Sequence, residues 1–437
     1  MTAVAIESLD HEGRGIAHVE GKAVFVEGAL PRETVRFEVL RARPNFDQAR
    51  AVAILRSSFL RVPPRCPRFG VCGGCSLQHL DANAQTAVKQ RVMEDAFRHI
   101  ARLSPGIIYP AIGGPAWGYR FRARLAVRVV PSRGGVLIGF HEKRSSYVAD
   151  IEACPVLPPH VSQLLPKLHE LVAALSIADR VPQIEIAVGE NATVLVFRHL
   201  LPFSDADLKR LVAFGQTEGV DIWRQPQQPD SARPLEGAPN AAGEGGLFYT
   251  LPEFGLRLAF RPTDFTQVNI SANRALIRRA LQLLDPRPNE RVADLFCGLG
   301  NFTLPIAQRG ASVVGIEGSD ALVARANANA RANGLESRAT FHAANLFETT
   351  EDSLAALGKL DKLLLDPPRE GAIAVVKAIS SRQSPPRIVY VSCNPATLAR
   401  DAAVLVREKG YTLRGAGVAN LFPHTSHVET VALFERV

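Results

Sequence analysis

Cys393 stands where an apolar run ends and a predicted helix begins, within the segment Arg-Ile-Val-Tyr-Val-Ser-Cys-Asn-Pro-Ala-Thr-Leu-Ala-Arg-Asp at 387–401. Reacting groups in an open α/β sheet gather at the carboxyl ends of its strands. A helix N-terminus lowers the pKa of a thiol, and a thiolate attacks soft carbon centres well. We therefore interpret Cys393 as a covalent nucleophile. The alternative for a lone cysteine is a small buried hydrophobic residue.

A glycine turn follows an earlier apolar run, in Asp-Leu-Phe-Cys-Gly-Leu-Gly-Asn at 294–301, and Glu317 ends the next apolar run. An acidic residue about 20 positions beyond such a turn is placed to accept hydrogen bonds from ribose hydroxyls. A dinucleotide site also needs a third glycine, and Thr303 stands in its place. The turn therefore favours a nucleoside cofactor without a pyrophosphate, such as S-adenosylmethionine (SAM), with Asp294 available to hold its amino-acid moiety.

A third loop with polar groups, Leu-Asp-Pro-Pro-Arg at 365–369, follows another apolar run. Its Asp-Pro-Pro core resembles the loop with which amino-directed methyltransferases hold an exocyclic nitrogen. Those enzymes need an aromatic residue after the prolines, and here Arg369 takes that position. The loop therefore favours a carbon target, with Asp366 able to contact the cofactor or a base edge.

Four cysteines outside this region form a separate group, in which Cys66, Cys72 and Cys75 are close in sequence and Cys154 lies far downstream. Four thiolates suit either tetrahedral zinc or a cubane iron-sulfur cluster. Zinc sites usually contain two Cys-x-x-Cys pairs, and only Cys72 and Cys75 have that spacing. The residues alone leave zinc and iron-sulfur open.

The elements that must position the C-terminal loops alternate between apolar strands and helical stretches, which predicts a parallel sheet with helices on both faces. The predicted strands are 292–296, 312–317, 339–343, 362–366 and 388–392. Two further apolar runs, 411–422 and 427–434, predict an antiparallel edge.

The N-terminal region consists of short alternating runs separated by glycine and proline, which predicts a small β-barrel or sandwich over 1–60. A set of arginines on one face of it would suit RNA binding, although a solvated basic face is an equal alternative because eight acidic residues are interspersed. These arginines are Arg32, Arg36, Arg41, Arg43, Arg50 and Arg56.

Positive charge is concentrated in the middle of the chain. Between Lys89 and Asp150 there are eleven Lys and Arg against four acidic residues, whereas the whole chain of 437 residues has a net charge of +8. The stretch 116–128 also interleaves aromatic side chains with arginines, which favours RNA contact over a basic strand with buried aromatics. By contrast, 224–246 is rich in Pro, Gly and Gln without an apolar period and predicts a flexible surface insertion.

Composition excludes several classes of protein. Six cysteines in 437 residues are too few for a disulfide scaffold, and 46% hydrophobic side chains argue against extensive disorder. The first residues lack the pattern of a secretory signal, and no run approaches the roughly 18 apolar residues of a membrane helix. We expect a cytoplasmic protein with no membrane partner that acts as a monomer.

Four motifs taken together resemble the RNA uracil-5 methyltransferase family. They are Asp-Leu-Phe-Cys-Gly-Leu-Gly-Asn-Phe-Thr-Leu-Pro at 294–305, Leu-Asp-Pro-Pro-Arg-Glu-Gly-Ala at 365–372, Val-Ser-Cys-Asn-Pro-Ala-Thr-Leu-Ala-Arg-Asp at 391–401 and Phe-Pro-His-Thr-Ser-His-Val-Glu-Thr-Val at 422–431. Within that family the chain is similar to the 23S rRNA enzymes that carry an N-terminal TRAM barrel and an iron-sulfur cluster. The resemblance covers nearly the whole chain.

The resemblance implies a function and a set of site residues. The function is SAM-dependent methylation of C5 of a uridine in 23S rRNA, free or in a precursor ribosomal particle, with Cys393 as nucleophile and Glu429 as base. The four clustered cysteines would hold a [4Fe-4S] cluster. The implied SAM contacts are Gln267, Phe296, Asn301, Glu317, Asn345 and Asp366. Two positions depart from the family pattern, Asn420 where Asp is usual and His424 where Gln is usual, which puts details around Glu429 in doubt.

The predicted fold is therefore an α/β, Rossmann-like SAM methyltransferase domain at 263–437, with a TRAM-like or OB-like β-barrel at 1–60 and an α+β iron-sulfur domain at 61–262. Three alternatives remain. One is a tRNA uracil-5 methyltransferase, although those relatives generally lack the barrel and the cluster. A non-catalytic ribosome-assembly factor would not need Cys393 and Glu429, and a redox enzyme using a dinucleotide would need the missing third glycine.

Overall fold

The first 56 residues form a six-stranded sheet in the computed structural model, which describes residues 3–133, 135–243, 246–380 and 383–436. The strands are β1 (Ala3–Ala5), β2 (Ser8–Leu9), β3 (Gly15–Val19), β4 (Lys22–Glu27), β5 (Thr34–Ala42) and β6 (Phe46–Arg56), in the spatial order β1-β5-β6-β4-β3-β2. Buried side chains from both halves of the sheet, including Ile6, Ala17 and Val35, share one core. The sheet therefore folds over itself, as predicted for a small barrel or sandwich. All six arginines named above are exposed.

Helix α1 (Ala82–Ala96) follows the cysteine-rich loop and begins at Asp81, whose carboxylate accepts hydrogen bonds from the backbone N–H groups of Asn83 and Ala84. The helix continues as a single π-helical turn at Phe97–Ala101, and a short strand β7 (Ile107–Ile108) comes next. Met93 and Phe97 are buried in the core of the C-terminal domain. The sequence groups this segment with the central domain, whereas its apolar side chains pack on the C-terminal one.

A seven-stranded sheet forms the centre of the molecule, in the order β10-β9-β8-β11-β12-β13-β14. Its elements are β8 (Arg122–Val130), β9 (Gly135–His141), β10 (Val148–Asp150), α2 (Pro159–Ala173), β11 (Gln183–Val188), β12 (Thr193–Arg198), α3 (Asp205–Glu218), β13 (Asp221–Gln225) and β14 (Arg233–Pro234). Leu164, Leu168 and other apolar residues of α2 are buried against the strands in one core. This arrangement is the α+β architecture that the sequence predicts for the central part.

The proline- and glycine-rich stretch 224–246, of which 244 and 245 lie outside the described residues, is not the purely exposed insertion that its composition suggests. Ala232, Leu235 and Ala242 are buried, and the Asp221 carboxylate accepts hydrogen bonds from the backbone N–H groups of Ala241 and Ala242 at 2.9 and 2.8 Å. Single apolar side chains without a periodic pattern can each fill a separate space in a core, and composition does not reveal this.

The C-terminal domain contains an eight-stranded sheet in the order β19-β18-β17-β20-β21-β23-β22-β7. A two-stranded ribbon, β15 (Leu247–Leu251) and β16 (Leu256–Phe260), precedes it. The remaining elements are α4 (Ile270–Leu284), β17 (Arg291–Leu295), α5 (Thr303–Gln308), β18 (Ser312–Glu317), α6 (Asp320–Ala332), β19 (Ala339–Ala343), α7 (Glu351–Ala355), β20 (Lys362–Leu365), α8 (Ile373–Ala378), β21 (Arg387–Ser392), α9 (Pro395–Arg407), β22 (Tyr411–Ala419) and β23 (Glu429–Arg436).

Five neighbouring strands, β17 to β21, pair in parallel, and successive residues of β17 point into cores on opposite faces. Val292 belongs to one core, and Ala293 and Leu295 belong to the other. The predicted parallel sheet with helices on both faces is therefore confirmed, and so is the antiparallel pair β22 and β23. The outermost strand, β7, comes from a distant segment that the pattern did not identify. The strand order reverses between β17 and β20, which is where such sheets bind ligands.

Among the described residues, no helix has both the length and the apolar character to cross a bilayer.

Candidate active site and cysteine cluster

A cavity of about 590 Å³ opens at the carboxyl ends of the parallel strands. It brings together residues from four separate motifs, as the common edge of a parallel sheet requires. Eight predicted site residues line it: Gln267, Phe296, Asn301, Glu317, Asn345, Asp366, Cys393 and Glu429. The volume is in the range of small-molecule sites, which suits a nucleoside-sized ligand.

The glycine turn after β17 holds Glu317 in place. One carboxylate oxygen of Glu317 accepts a hydrogen bond from the Gly298 N–H at 3.0 Å, and the other accepts from the N–H groups of Gly318 and Ser319. Gly300 has a φ of +95°, which a side chain would strain. Phe296 nevertheless has a φ of +67°, and its ring lies 5.8 Å from that of Phe347. A bulky residue with a positive φ is uncommon, and such a residue often marks a functional site.

Asp294 does not line the cavity. Its side chain is fully buried, and one carboxylate oxygen accepts a hydrogen bond from the Thr303 hydroxyl at 2.5 Å. Burial raises the pKa of Asp294 to about 7. Asp294 therefore braces the turn through Thr303, while its Oδ1 is buried without a hydrogen-bond partner among the described residues, and its role toward an amino-acid moiety stays a prediction.

Asn301 is oriented by its neighbours. Its amide forms a reciprocal pair with that of Asn273, with hydrogen bonds of 2.9 and 3.0 Å, and its Oδ1 also accepts from the Tyr249 hydroxyl at 2.8 Å. Such a fixed amide presents its remaining hydrogen-bonding capacity in one direction. Tyr249 and Asn273 lie in segments that carried no recognisable motif.

Cys393 and Glu429 reach the cavity from neighbouring strands. Cys393 follows β21 and precedes α9, and Glu429 is the first residue of β23, which pairs antiparallel with β21. The pKa of Cys393 is raised to about 12, first by burial and then by Glu429 and Asp366, while Arg369 opposes the shift. The expected lowering of the pKa by the helix N-terminus is outweighed, because the thiol is buried and two carboxyl groups share its cavity.

The two carboxyl groups of the cavity are themselves perturbed. Burial raises the pKa of Asp366 to about 7. Burial and the nearby Asp366 raise the pKa of Glu429 well above its usual value, and Lys89 lowers it. Perturbed carboxyl groups in a cleft are typical of general acid-base sites.

Several residues that line the cavity were not identified from the sequence as site residues. Phe265 is 70% exposed and Phe347 is 50% exposed, which is unusual for phenylalanine and leaves both rings available for stacking. His427 lies within 2.9 Å of the Arg369 guanidinium, and burial lowers its pKa to about 4. Phe265 lies two positions before Gln267, which the resemblance names as a SAM contact, and this proximity is the signal that could have identified it.

The basic stretch 116–128 makes more contacts within the protein than its expected role in RNA binding predicts. The Tyr119 hydroxyl donates to the Pro423 carbonyl at 2.8 Å, and Arg124 donates to Glu185. The Trp117 ring stacks on His424 with a centroid distance of 3.8 Å. These aromatic residues therefore brace the loop before Glu429, and among the arginines of the stretch Arg124 and Arg128 stay exposed.

The four clustered cysteines, Cys66, Cys72, Cys75 and Cys154, line one small cavity of about 20 Å³ together with Arg120. Burial raises the pKa of Cys75 to about 11 and that of Cys154 to about 12, and nearby thiol groups add to both shifts. A side chain at Gly73 would place its Cβ 2.9 Å from the His141 carbonyl oxygen. The Gly-Gly pair therefore lets the loop lie close to the strand.

Within the part of the chain that the structure describes, no group of three or more His, Cys, Asp or Glu side chains is arranged to hold a metal ion.

Two family models match the chain. The C-terminal part, residues 255–437, matches the tRNA (Uracil-5-)-methyltransferase family, and residues 2–52 match the TRAM domain. The second match covers nearly all of the six-stranded N-terminal sheet. The first covers the whole eight-stranded sheet except β7.

Full-length relatives match as well. The chain is 70% identical over 436 residues to the 23S rRNA (uracil(1939)-C(5))-methyltransferase RlmD of Azoarcus sp. strain BH72, with 100% of both chains covered. It is 58% identical to the corresponding protein of Bordetella parapertussis, covering 98% of this chain and 92% of that one. The crystal structure of the Pyrococcus abyssi tRNA (uracil-54, C5)-methyltransferase in complex with S-adenosyl-L-homocysteine aligns with a TM-score of 0.75 at 24% identity, covering 99% of this chain and 100% of that one. The fold, the cavity and these relatives together show that the chain belongs to the RNA uracil-5 methyltransferase family, in its TRAM-containing branch.

Proposed function

We propose that this enzyme methylates C5 of the 23S rRNA uridine that its relatives are named for, position 1939, through a covalent bond between Cys393 and C6 of the base. One observation carries this proposal: Cys393, Glu429 and the six implied SAM contacts line the same cavity, although they come from separate motifs. The full-length identity to 23S rRNA enzymes favours this substrate over tRNA.

The residues present suit SAM. The Glu317 carboxylate, fixed by three backbone N–H groups, can accept hydrogen bonds from ribose hydroxyls. Phe296 and Phe347 offer ring faces for a purine base, and Gln267, Asn301 and Asn345 offer amides. When bound, SAM supplies an electrophilic methyl group.

Cys393 and Glu429 divide the remaining chemistry. The C5 carbon of uracil is a weak nucleophile, and addition of the Cys393 thiolate to C6 makes it electron-rich. After methylation, the Glu429 carboxylate removes the C5 proton, the C5–H electron pair forms the C5–C6 double bond, and the Cys393 sulfur leaves C6 as a thiolate. Because the pKa of Cys393 is raised in this structure, its proton must leave before addition.

The direct test maps 5-methyluridine in 23S rRNA from cells with and without this gene. We expect one methylated uridine, at the position equivalent to 1939, to disappear in the deletion strain and to return with the wild-type gene. Loss of 5-methyluridine from tRNA with 23S rRNA unchanged would favour the tRNA alternative instead.

The six-stranded N-terminal sheet is proposed to bind RNA. Its family match is to TRAM, and Arg36, Arg41 and Arg43 are exposed on β5 and the turn after it. Deleting the whole sheet is a poor test, because Leu30 packs with Leu77 and Leu80, and Arg61 forms a salt bridge with the buried Glu33. Charge changes leave those contacts intact.

We expect the triple variant Arg36→Gln, Arg41→Gln, Arg43→Gln to bind rRNA fragments more weakly and to retain SAM affinity. Each lost phosphate contact lowers the slope of log K against log salt by about 0.7 to 0.9. Filter binding at several salt concentrations measures the slope. The matched control changes three exposed arginines elsewhere, Arg309, Arg331 and Arg338. Equal slopes for the two triple variants would reject the role.

We also propose that Cys66, Cys72, Cys75 and Cys154 bind a [4Fe-4S] cluster. The four thiols share one cavity, and the Gly74 N–H points to the Cys72 sulfur at 3.4 Å, as expected where a thiolate is stabilised. No step of the reaction is assigned to the cluster, and we propose a structural role.

Protein purified without oxygen should be brown, with broad visible absorbance that bleaches in air, and should contain about four irons and four sulfides per chain. Cys72→Ser should lose both iron and colour, whereas Cys297→Ser, at a buried cysteine of another domain, should keep them. Stoichiometric zinc without iron would contradict the assignment.

We propose that the enzyme acts in the cytoplasm on free 23S rRNA or a precursor particle, and that it works as a monomer. Sedimentation with and without rRNA tests the last of these.

A further inference from the structure

Lys89 is a buried cation beside the proposed base. Its residue is 1% exposed and lies on α1, far in sequence from the catalytic motifs. Its ammonium donates hydrogen bonds to Asn420 Oδ1 at 2.7 Å and to the Phe422 carbonyl at 2.9 Å. A buried lysine costs free energy unless it is paired, so its presence calls for an explanation.

The strand pairing places Lys89 close to Glu429. Glu429 pairs with Ala419 across the β22–β23 ladder, and Asn420 follows Ala419 directly. The same helix secures this loop a second time, because Gln85, one turn before Lys89, accepts a hydrogen bond from the His424 N–H at 2.7 Å. Helix α1 therefore holds the loop that leads into Glu429 at two points.

The two hydrogen-bond acceptors of Lys89 are neutral. An amide oxygen and a backbone carbonyl both favour the protonated amine without neutralising its charge. The pKa of Lys89 is lowered to about 7 by burial, which the nearby Glu429 carboxylate opposes. In return, the charge of Lys89 lowers the pKa of Glu429. Asn420 stands where the family usually has Asp. Because its amide is neutral, it does not neutralise the charge of Lys89, to which it is hydrogen-bonded.

Other charged groups face the pair. Asp366 raises the pKa of Glu429, and Cys393 shares the cavity. His424 and His427 lie on the loop, and Lys89 contributes to the lowering of both of their pKa values. Arg369 lowers the pKa of His427 and that of Cys393. Within this set, Lys89 is the cation that lowers the pKa of Glu429.

We propose that Lys89 is a positioning residue that favours the ionised form of Glu429 for removal of the C5 proton. Lys89 neither gains nor loses a proton in that step. The proposal rests on the proposed role of Glu429 as base. It assigns Lys89 to the second half of the reaction, after methyl transfer.

The test measures methyl transfer and removal of the C5 proton separately. RNA labelled with tritium at C5 reports proton removal, and SAM labelled in its methyl group reports methyl transfer, including methyl held in a protein-bound adduct. For Lys89→Met at neutral pH we expect tritium release to fall about tenfold or more, because loss of a nearby opposite charge shifts a carboxyl pKa by about one unit or more. Methyl transfer in a single turnover should be retained, and a denaturation-resistant methylated adduct should accumulate.

The pH profile gives a second readout. Without the cation, the pKa of Glu429 rises, so the acid limb of tritium release should move to higher pH. Lys89→Arg should restore the wild-type profile at least in part. Asn420→Asp should move the limb in the same direction as Lys89→Met, because the new carboxylate neutralises Lys89. The matched control is Arg91→Gln, an exposed cation of the same helix, which should leave the profile unchanged.

Thermal unfolding and SAM binding show which variants are folded. If Lys89→Met loses methyl transfer and tritium release in parallel, or keeps both, the proposal is overturned. In a Glu429→Gln background, Lys89→Met should cause no further loss of tritium release, and an additive loss would also overturn it. If Glu429→Gln alone releases tritium normally, the assignment of the base fails, independently of the Lys89 result.

Discussion

Cys393→Ala should abolish methylation of 23S rRNA and form no covalent complex with it. Without the thiolate, C5 of uracil is not activated, so turnover should fall by a factor on the order of 10⁴ to 10⁶, as for other covalent nucleophiles. The measurement is transfer of labelled methyl to rRNA, together with a denaturing gel for protein-RNA adducts. SAM affinity should stay near that of the wild type, because the implied SAM contacts are unchanged.

The control is the other cysteine of the same cavity. Cys297 lines the cavity but is 3% exposed, and burial raises its pKa well above the usual value. Cys297→Ala should still form the adduct and methylate the RNA. If Cys393→Ala retained methylation, or if Cys297→Ala were the variant that lost the adduct, the nucleophile would be wrongly assigned.

Glu429→Gln should fail later in the reaction. An amide cannot accept the C5 proton, and elimination of the Cys393 thiolate requires the loss of that proton. The variant should therefore add to C6, methylate C5 and stall, with multiple turnover reduced by roughly 10² to 10⁴. A denaturation-resistant protein-RNA complex that carries the methyl label should accumulate, in contrast to Cys393→Ala.

A double variant shows which of the two residues, Cys393 or Glu429, acts first. Cys393→Ala combined with Glu429→Gln should form no adduct, because addition precedes proton removal. A Glu429→Gln enzyme that turned over normally, or one that formed no adduct at all, would contradict the role of base. Because Glu429 is buried, a thermal unfolding curve for each variant shows whether the cavity remains folded.

Much of the C-terminal domain could be predicted from the sequence. Alternation of apolar strands and helices is a local pattern, and the observed strands agree with the predicted ones to within a few residues. Parallel strands must end at one edge, so the motifs that follow them were expected to meet there, and the cavity confirms that they do. The four cysteines were grouped by type, and they line one cavity, although the chemistry of their ligand remains a proposal.

Other features depend on contacts between distant segments, which a local pattern does not contain. The pKa of Cys393 is raised and not lowered, because burial and two carboxyl groups outweigh the helix N-terminus. Asp294 lies in the turn and does not line the cavity, because its carboxylate accepts a hydrogen bond from the Thr303 hydroxyl. Lys89 belongs to a helix without a motif, and only the packing of α1 on β22 brings its charge to Glu429. Residue type and chain periodicity singled out Cys393 and the loops that meet at one edge of the sheet, whereas the roles of Glu429 and of most cofactor contacts came from the family resemblance. The tertiary structure decided their protonation and orientation, since both depend on burial and on charges from other parts of the chain.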